Sequence, residues 1–338
     1  MKARRCVLPG SCVCQLEDFD LPDAPPTGGY LMEIHASLIS PGTELGSYRR
    51  TGEGSSPYPV GYTAVGRVVA ADAAADQSLK GKEVFLFPED DRQSECHASH
   101  RTVGPGALMV PLPDGLSAQD AVFARMVNIA MTPFRHYGGK SLDAVLVVGL
   151  GLVGQVIAQV ARIKGCRAIG IDPDASRRAR AEASGVDVVL DPTGGDPVER
   201  VRAMTGGRGA QLTINATGRT ATFPMSLKAT ADGGEVSTLG GARDQDETRA
   251  YDLLRHVHTR HVTLRGGWEM LVPRRGVPGS AGSSTEENLH LALRWLGEGK
   301  INLDHIRTHV IKPEGMQDAY AALDQMNPEY LGVVVDWT

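Results

Sequence analysis

The chain has 338 residues, of which 41% are hydrophobic, and a formal net charge of −5. This composition is typical of an α/β protein of about two domains. It contains no long basic or acidic block, which argues against nucleic acid or an anionic membrane surface as the main partner. No apolar stretch approaches the length of a membrane span, and the N-terminus lacks the apolar core of a signal peptide. We therefore expect a cytoplasmic protein that acts on a small molecule.

The five cysteines do not form a disulfide framework in a chain of this length. Cys12 and Cys14 lie two residues apart on a predicted terminal strand, so their thiols are expected to face opposite sides. We interpret all five as unpaired thiols.

Residues 1–120 are predicted to be rich in strands, because short apolar runs alternate with turns rich in proline and glycine. No helical pattern of useful length precedes Ser117. Ser117 and the acidic residue Asp120 indicate a helix cap, and the helix that follows is predicted over about 118–137. The predicted strands of this part are 30–36, 64–70, 83–87 and 107–111.

From residue 144 to about 265 the pattern alternates between strand and helix, which predicts a doubly wound parallel sheet. Further on, Thr285 begins an amphipathic helix that ends at Gly297 or Gly299, and a final strand is predicted over 331–337. The alternating strands are predicted at 145–148, 168–171, 187–190, 212–214, 235–239 and 261–264, and the helices at 153–164, 176–184, 197–205 and 222–231.

The strand predicted at 145–148 shows no polar alternation, which is typical of a strand buried on both faces, and it ends in a glycine triplet. In a dinucleotide-binding turn, Gly149 would allow the tight turn and Gly151 would let the backbone approach a diphosphate. Gly154 would let the helix pack closely on the strand. The free N–H groups at the start of the helix, at Leu152 and Val153, would face the phosphates. The alternative is a glycine-rich turn that binds no dinucleotide.

Asp172 ends the second strand, 23 positions after Gly149. A carboxylate at about this spacing accepts hydrogen bonds from the ribose hydroxyls and repels a 2′-phosphate, which favours NAD over NADP. Arg177 and Arg178 leave NADP open, because an arginine can neutralise a 2′-phosphate.

Two later strands of the predicted sheet end in Thr217-Gly218 and Leu239-Gly240. The carboxyl edge of such a sheet is where dinucleotides lie, so we expect backbone contacts to ribose and nicotinamide here. The alternative is a plain glycine turn between strand and loop.

These features together resemble the medium-chain dehydrogenase/reductase superfamily over nearly the whole chain. The resemblance implies a β-rich, GroES-like catalytic domain over 1–120, a Rossmann domain over 121–270 and a return to the catalytic domain over 271–338. The motifs that carry the resemblance are Ser40-Pro41-Gly42-Thr43-Glu44, 60–66, 149–154, Asn215-Ala216-Thr217-Gly218 and 299–303. The motif at 40–44 is similar to that of a subgroup that includes bacteriochlorophyllide-type and cyclitol or sugar alcohol dehydrogenases.

The chain departs from the zinc-dependent members of that superfamily at the positions that carry the metal. Where those members have Cys-Gly-Thr-Asp and Gly-His-Glu, this chain has Pro41 and Tyr62, and a third ligand would fall near Arg125. Proline, tyrosine and arginine are not usual zinc ligands. The four closely spaced cysteines of a structural zinc lobe are also missing. We therefore expect no catalytic zinc.

Without a metal, side chains must handle the proton of an alcohol. The resemblance places Thr43 and Glu44 at a turn that lines the cleft, and the Tyr62 phenol where the metal would be. Asn128 and Arg125 would hold substrate oxygens, and His97 is a further candidate for the proton. Each candidate also has a structural alternative. Glu44 could cap its turn or pair with an arginine, Tyr62 could only line the cleft, and Arg125 could pair with a carboxylate.

The sequence leaves two enzymatic hypotheses. The first is a zinc-independent, NAD(H)-dependent dehydrogenase of a secondary alcohol, either a cyclic polyol or a sugar-like metabolite. The second is an NADPH-dependent enoyl or quinone reductase. A third hypothesis is a dinucleotide-binding protein without catalysis. The resemblance also implies a homodimer formed through the edge of the Rossmann sheet near 261–268.

Overall fold

The structure is a computed structural model, and it describes residues 1–50, 58–89, 95–139, 142–241, 244, 247–277 and 283–338. In this part of the chain the strands are β1 (Lys2–Gly10), β2 (Val13–Asp20), β3 (Tyr30–Ile39), β4 (Tyr58–Pro59), β5 (Ala64–Ala71), β6 (Glu83–Phe87), β7 (His100–Val103), β8 (Leu108–Pro111), β9 (Ala144–Val148), β10 (Arg167–Ile171), β11 (Val188–Leu190), β12 (Ala210–Asn215), β13 (Thr230–Thr238), β14 (Thr263–Gly266), β15 (Arg307–Ile311) and β16 (Gly332–Asp336).

The helices separate or flank these strands, and none of those described is long and apolar enough to cross a bilayer. They are α1 (Pro41–Arg50), α2 (Ala118–Ala121), α3 (Ala124–His136), α4 (Leu152–Ile163), α5 (Ala175–Ala183), α6 (Pro197–Met204), α7 (Phe223–Ala229), α8 (Ala250–Thr259), α9 (Thr285–Gly297) and α10 (Met316–Asp324).

The chain divides into two compact units. The first comprises residues 1–125, 274–299 and 307–338, and the second comprises 126–273 and 300–306. The first unit contains a three-stranded sheet in the order β2-β1-β4. It also contains a larger mixed sheet in the order β15-β16-β3-β5-β6-β8, with β7 paired to β3. This is the β-rich domain that the sequence predicted.

The second unit is a six-stranded parallel sheet in the order β11-β10-β9-β12-β13-β14. The strand order reverses between β9 and β12, which is the arrangement of a dinucleotide-binding sheet. All five residues of β9 are buried, as its unbroken apolar run predicts. The predicted fold class, an α/β protein with a GroES-like domain and a Rossmann domain, is confirmed.

The prediction that no helix precedes Ser117 was wrong, because α1 occupies the segment expected to be a turn. Its only buried side chains are those of Glu44, Leu45 and Tyr48. Two apolar positions are too few to produce a helical pattern in the sequence, and Gly42 and Gly46 further obscure it. Packing of this short buried face on the rest of the unit, rather than helix propensity, stabilises α1.

The helix predicted over 118–137 is interrupted. The Ser117 side chain accepts a hydrogen bond from Asp120 N at 3.1 Å, which confirms the predicted cap. The backbone then tightens where Phe123 N donates to Asp120 O, and a new helix begins at Ala124. The apolar pattern continues through Val122 and Phe123, so periodicity alone did not reveal this break. The helix from Thr285 to Gly297 is confirmed, with a capping box between Ser284 and Glu287.

Candidate functional site

The turn from β9 into α4 has the geometry that its glycines predict. Gly149 has a φ of +91°, which favours glycine. A Cβ on Gly154 would lie 1.9 Å from Gly149 O, so only glycine allows the helix to approach the strand this closely. A Cβ on Gly151 would meet nothing within 4 Å, and no side chain caps the helix there. The first N–H groups of α4, at Leu152 and Val153, therefore lie beside open space, a geometry suited to binding an anion.

Asp172 follows β10 and is buried beside this turn. One carboxylate oxygen accepts a hydrogen bond from Leu150 N at 2.7 Å, and the other accepts from Asp174 N at 2.8 Å. Each carboxylate oxygen has two lone pairs, so both keep capacity for a further donor. The structure thus holds a carboxylate in a fixed orientation next to the glycine turn.

Arg177 and Arg178, which left the choice between NAD and NADP open in the sequence, differ in their contacts. The Arg178 guanidinium lies 2.7 Å from the Asp191 carboxylate and donates to the Asp172 and Pro173 carbonyls. Arg177 is partly exposed, with its guanidinium 3.8 Å from the Asp172 carboxylate. Arg178 is therefore engaged with the local backbone and with Asp191, whereas Arg177 is within 4 Å of the Asp172 carboxylate.

The loops after β12 and β13 lie against each other at the carboxyl edge of the same sheet. The Asn215 side-chain oxygen accepts from Thr217 N at 3.2 Å and from Thr217 Oγ1 at 2.8 Å. Gly218 has a φ of +71°, and a Cβ on Gly240 would lie 2.5 Å from Gly218 N. The backbones next to Thr217 and Leu239 are thus brought together at the edge where we predicted cofactor contacts.

In the first unit, α1 carries Glu44 into a buried polar cluster. Its carboxylate accepts hydrogen bonds from Ser40 N at 3.1 Å and from the hydroxyl of Tyr320 in α10. His97 Nε2 lies 3.1 Å from the second carboxylate oxygen, and both side chains are fully buried. The structure therefore joins Glu44 and His97, which the sequence identified separately, and adds Tyr320, which it did not identify.

The hydrogen bonds of this cluster continue beyond His97. His97 Nδ1 lies 2.7 Å from Ser37 Oγ, which also accepts from the Trp337 indole N–H at 2.9 Å. Each polar side chain is thus hydrogen-bonded, as a buried network requires. Burial, together with the charge of Glu44, raises the pKa of Tyr320 well above its ordinary value, so this phenol stays protonated and donates to Glu44.

Tyr62 is almost fully buried, and its hydroxyl lies 2.5 Å from Ser40 Oγ. The Arg125 guanidinium lies 4.9 Å from the centre of the Tyr62 ring and 3.9 Å from that of Phe87. The structure thus combines a phenol, a hydroxyl and a cation, and Ser40 links this group to Glu44 through its backbone N–H. The stacking of Arg125 on two rings is a way to stabilise its buried charge that the sequence did not suggest.

Thr43 and Asn128 differ in their surroundings. Thr43 is exposed in the first turn of α1. Asn128 lies three residues after Arg125 in α3 and is buried. Neither polar atom of its side-chain amide has a hydrogen-bond partner among the residues that the structure describes. An unpaired buried amide is costly, by about 1–3 kcal/mol. Asn128 is therefore the candidate whose geometry calls for a ligand.

Pro41, Tyr62 and Arg125 stand at or near the positions where the resemblance indicates zinc ligands, and none of the three is a usual zinc ligand. Among the described residues, no group of three His, Cys, Asp or Glu side chains could hold a metal ion. Glu44 and His97 are hydrogen-bonded to each other and to buried neighbours. The Arg125 cation further disfavours a divalent cation beside Tyr62.

The chain is similar in sequence and in fold to known dehydrogenases. Residues 153–274 match the family model described as "Zinc-binding dehydrogenase". The chain is 27% identical over 219 residues to a D-guloside 3-dehydrogenase of Shigella flexneri, an alignment covering 64% of this chain and 61% of that protein. An alcohol dehydrogenase structure from Escherichia coli CFT073 with NADH superimposes with a TM-score of 0.80, at 16% identity over 99% of both chains.

A second structure, of a protein from Sinorhizobium meliloti 1021 described as a zinc-binding dehydrogenase and bound to NADP, gives a TM-score of 0.77 at 19% identity, again over 99% of both chains. Residues 153–274 thus resemble a zinc-binding dehydrogenase family, and the chain as a whole shares the fold of these dehydrogenase structures. The matched family segment begins at Val153, so it does not include the positions at which the zinc ligands would lie.

Proposed function

We propose that the protein is an NAD(H)-dependent, zinc-independent dehydrogenase of a secondary alcohol. The observation that carries this proposal is the uncapped start of α4, where Gly151 leaves open space beside the fixed Asp172 carboxylate. When bound, NAD supplies the acceptor for the hydride that leaves the carbinol carbon. The resemblance to an alcohol dehydrogenase family supports oxidation of a CH–OH group.

The charges around Asp172 support NAD rather than NADP. A 2′-phosphate would approach a buried carboxylate, and the Arg178 guanidinium is already paired with Asp191. Arg177 lies within 4 Å of the Asp172 carboxylate and would have to leave it to meet a phosphate. Asp172 keeps lone pairs for ribose hydroxyls, so the neutral ribose of NAD suits the site better.

The chemistry of the side chains supports the absence of a catalytic zinc. A metal would need at least three protein ligands, whereas Pro41 and Tyr62 stand at two of the ligand positions that the resemblance indicates. The Arg125 guanidinium next to Tyr62 supplies positive charge to the same place. Negative charge that develops on a substrate oxygen or on the phenol would be stabilised by this cation instead of a metal.

We assign the proton transfer to Tyr62. Its hydroxyl exchanges a hydrogen bond with Ser40 Oγ, which offers a first step for moving the proton away from the phenol. Glu44 and His97 are fully buried and hold the Ser40 backbone in place, so we assign them a positioning role. In this assignment Tyr62 contacts the substrate, whereas Glu44 and His97 hold Ser40, the hydrogen-bond partner of Tyr62, in position.

Asn128 and Arg125 are the proposed contacts for substrate oxygens. The Asn128 amide can donate and accept, so it can bind one hydroxyl in either direction. A substrate with several hydroxyl groups would satisfy both residues, which supports a cyclic polyol or a sugar-like compound. The similarity to a D-guloside 3-dehydrogenase supports the same class.

The proposal is tested first by titrating the protein with NADH and with NADPH, and by measuring its zinc content. We expect tighter binding of NADH and well under one zinc per chain. Oxidation of cyclic polyols and sugar-like alcohols should then proceed with NAD. Preference for NADPH with reduction of enones would instead support an enoyl or quinone reductase, and binding without turnover would support a protein that only binds dinucleotides.

The role of Tyr62 is tested with Tyr62→Phe, which removes only the hydroxyl. Loss of a general acid–base group lowers turnover by roughly 10²–10⁴-fold. Tyr30→Phe is the matched control, because the Tyr30 hydroxyl is bonded to Asp76 N in the same unit and lies outside the cluster. Equal turnover in both variants would show that the Tyr62 side chain lines the cleft without transferring a proton.

We further propose a homodimer in the cytoplasm, formed through β14. This strand is at the end of the parallel sheet, and all four of its residues are exposed. Leu264 in the strand and Trp268 beyond it expose apolar surface. An open edge next to apolar side chains can pair with the same edge of a second copy.

A further inference from the structure

Two of the five cysteines lie side by side in the first unit. Cys6 is in β1 and Cys14 in β2, and these strands pair in antiparallel fashion with a register irregularity between Val7 and Gly10. The Cys6 and Cys14 sulfur atoms are 2.9 Å apart, closer than an ordinary contact between two sulfurs. Cys6 is fully buried, and Cys14 is 6% exposed. The fold thus brings together two thiols that are eight positions apart.

The surroundings of this pair hold it in place. Both residues belong to a core cluster that includes Tyr48 and Tyr320, and Cys14 N donates to the Gln317 side chain at 2.6 Å. Tyr320 is also the donor to Glu44, so the thiols are packed within the core that supports the buried polar cluster. Cys12, by contrast, is exposed in the turn between the strands.

We propose that Cys6 and Cys14 form a redox modification site, a dithiol that a hydroperoxide converts to an intramolecular disulfide. The peroxide oxidises the Cys14 thiol to a sulfenic acid and is itself reduced to water or an alcohol. The Cys6 sulfur then attacks the Cys14 sulfur, an S–S bond forms, and the sulfenic hydroxyl leaves with the Cys6 proton as water. Two thiols are oxidised and one peroxide bond is reduced, so the electrons balance.

Geometry and access support this order of events. A disulfide needs its sulfurs about 2.05 Å apart, so closing the bond requires an approach of less than about 1 Å. Cys14 lies on β2, the edge strand of its sheet, and is the more accessible of the two. Cys6 has no exposed surface, and its hydrogen bond with Cys14, together with burial, raises the pKa of its thiol, so we expect the oxidant to react first at Cys14.

The test is oxidation of the folded, full-length protein with hydrogen peroxide, followed by titration of thiols under denaturing conditions. We expect the titre to fall from five thiols per chain to three and to return to five with dithiothreitol. In a tryptic digest, the peptide that runs from Cys6 to Arg49 should lose the mass of two hydrogens. It contains Cys6, Cys12 and Cys14, so variants are needed to identify the pair.

Cys12→Ser is the matched control and should still lose two thiols, whereas Cys6→Ala and Cys14→Ala should lose none to this bond. Circular dichroism of each variant shows whether it is folded, and the wild-type peptide mass does not depend on the variants. Loss of two hydrogens that persists in Cys14→Ala would overturn the proposal. So would its disappearance in Cys12→Ser, or gain of oxygen atoms on these cysteines without an S–S bond.

Discussion

Gly151 and Gly154 allow cofactor binding to be separated from folding, because a methyl group meets different surroundings at the two positions. A Cβ on Gly151 extends into open space, and the backbone there has a φ of −68° that alanine adopts readily. A Cβ on Gly154 would lie 1.9 Å from Gly149 O, which is a backbone atom that cannot rotate away. We therefore expect Gly151→Ala to lower only the affinity for the cofactor. Gly154→Ala should lower both that affinity and the stability of the fold.

The magnitudes follow from these contacts. Alanine is a poorer N-cap than glycine, but it also restricts the unfolded chain, and these effects of about 0.5–1 kcal/mol each offset one another in Gly151→Ala. Gly154→Ala forces α4 and the turn apart by about 1 Å, and overpacking of this kind costs roughly 3 kcal/mol. If a diphosphate lies against Gly151, its methyl group should weaken NADH binding at least about tenfold, or ~1.4 kcal/mol.

The assay combines thermal unfolding of the free protein with a fluorescence titration of NADH. Gly138→Ala is the control, because its Cβ also meets nothing within 4 Å and it lies in the same unit away from the turn. The expected pattern is an unchanged melting temperature with lost affinity in Gly151→Ala, and neither change in Gly138→Ala. Wild-type affinity for NADH in Gly151→Ala would refute the assignment of the start of α4 to the diphosphate.

Four further substitutions test the remaining assignments. Tyr320→Phe removes a donor to the buried Glu44 carboxylate and should lower the free energy of unfolding by about 1.5–3 kcal/mol in urea titrations; an unchanged midpoint would contradict the buried bond. Asn128→Leu removes an unpaired buried amide, so stability should hold or rise while KM for the alcohol increases, and an unchanged KM would exclude substrate contact. Leu264→Lys places charge on the open edge of β14 and should give monomers by light scattering, whereas a persistent dimer would place the interface elsewhere. Burial lowers the pKa of His100, so below about pH 6.5 the unfolded chain binds a proton that the folded protein does not, and stability falls. In His100→Gln the drop in melting temperature between about pH 7.5 and about pH 5.5 should be smaller, and an equal drop would show that other groups cause it.

The parallel sheet could be predicted from the sequence because its signals are local. The run from Ala144 to Val148 is apolar throughout, and the four helices predicted between residues 153 and 231 begin and end within a few residues of their predicted bounds. Helix α8 (Ala250–Thr259) was not predicted. The glycine turn could be predicted for the same reason, since all three of its glycines lie within six positions. The substitutions at Gly151 and Gly154 test whether these residues bind the cofactor.

Helix α1 shows where local signals fail. Its sequence offers one turn of apolar residues, Leu45 and Tyr48, and two glycines that lower helix propensity. Tyr48 stacks on Tyr320 of α10 with ring centres 5.3 Å apart, a contact between residues more than 270 positions apart. Because this packing is tertiary, no window of sequence around residue 45 contains the reason for the helix.

The polar cluster of the first unit depends on distant positions in the same way. Gly61, with a φ of +94°, lets His97 approach so closely that a Cβ on Gly61 would lie 2.7 Å from His97 N. His97 then adds a hydrogen-bond partner to the buried Glu44 carboxylate, beside Ser40 N and the Tyr320 hydroxyl, and a buried polar group that loses its partner costs about 1–3 kcal/mol. Removing either partner should therefore destabilise the unit more than removing both. Glu44 accepts a hydrogen bond from Ser40 N, and Ser40 Oγ lies 2.5 Å from the Tyr62 hydroxyl, so loss of the pair should also disturb the surroundings of Tyr62.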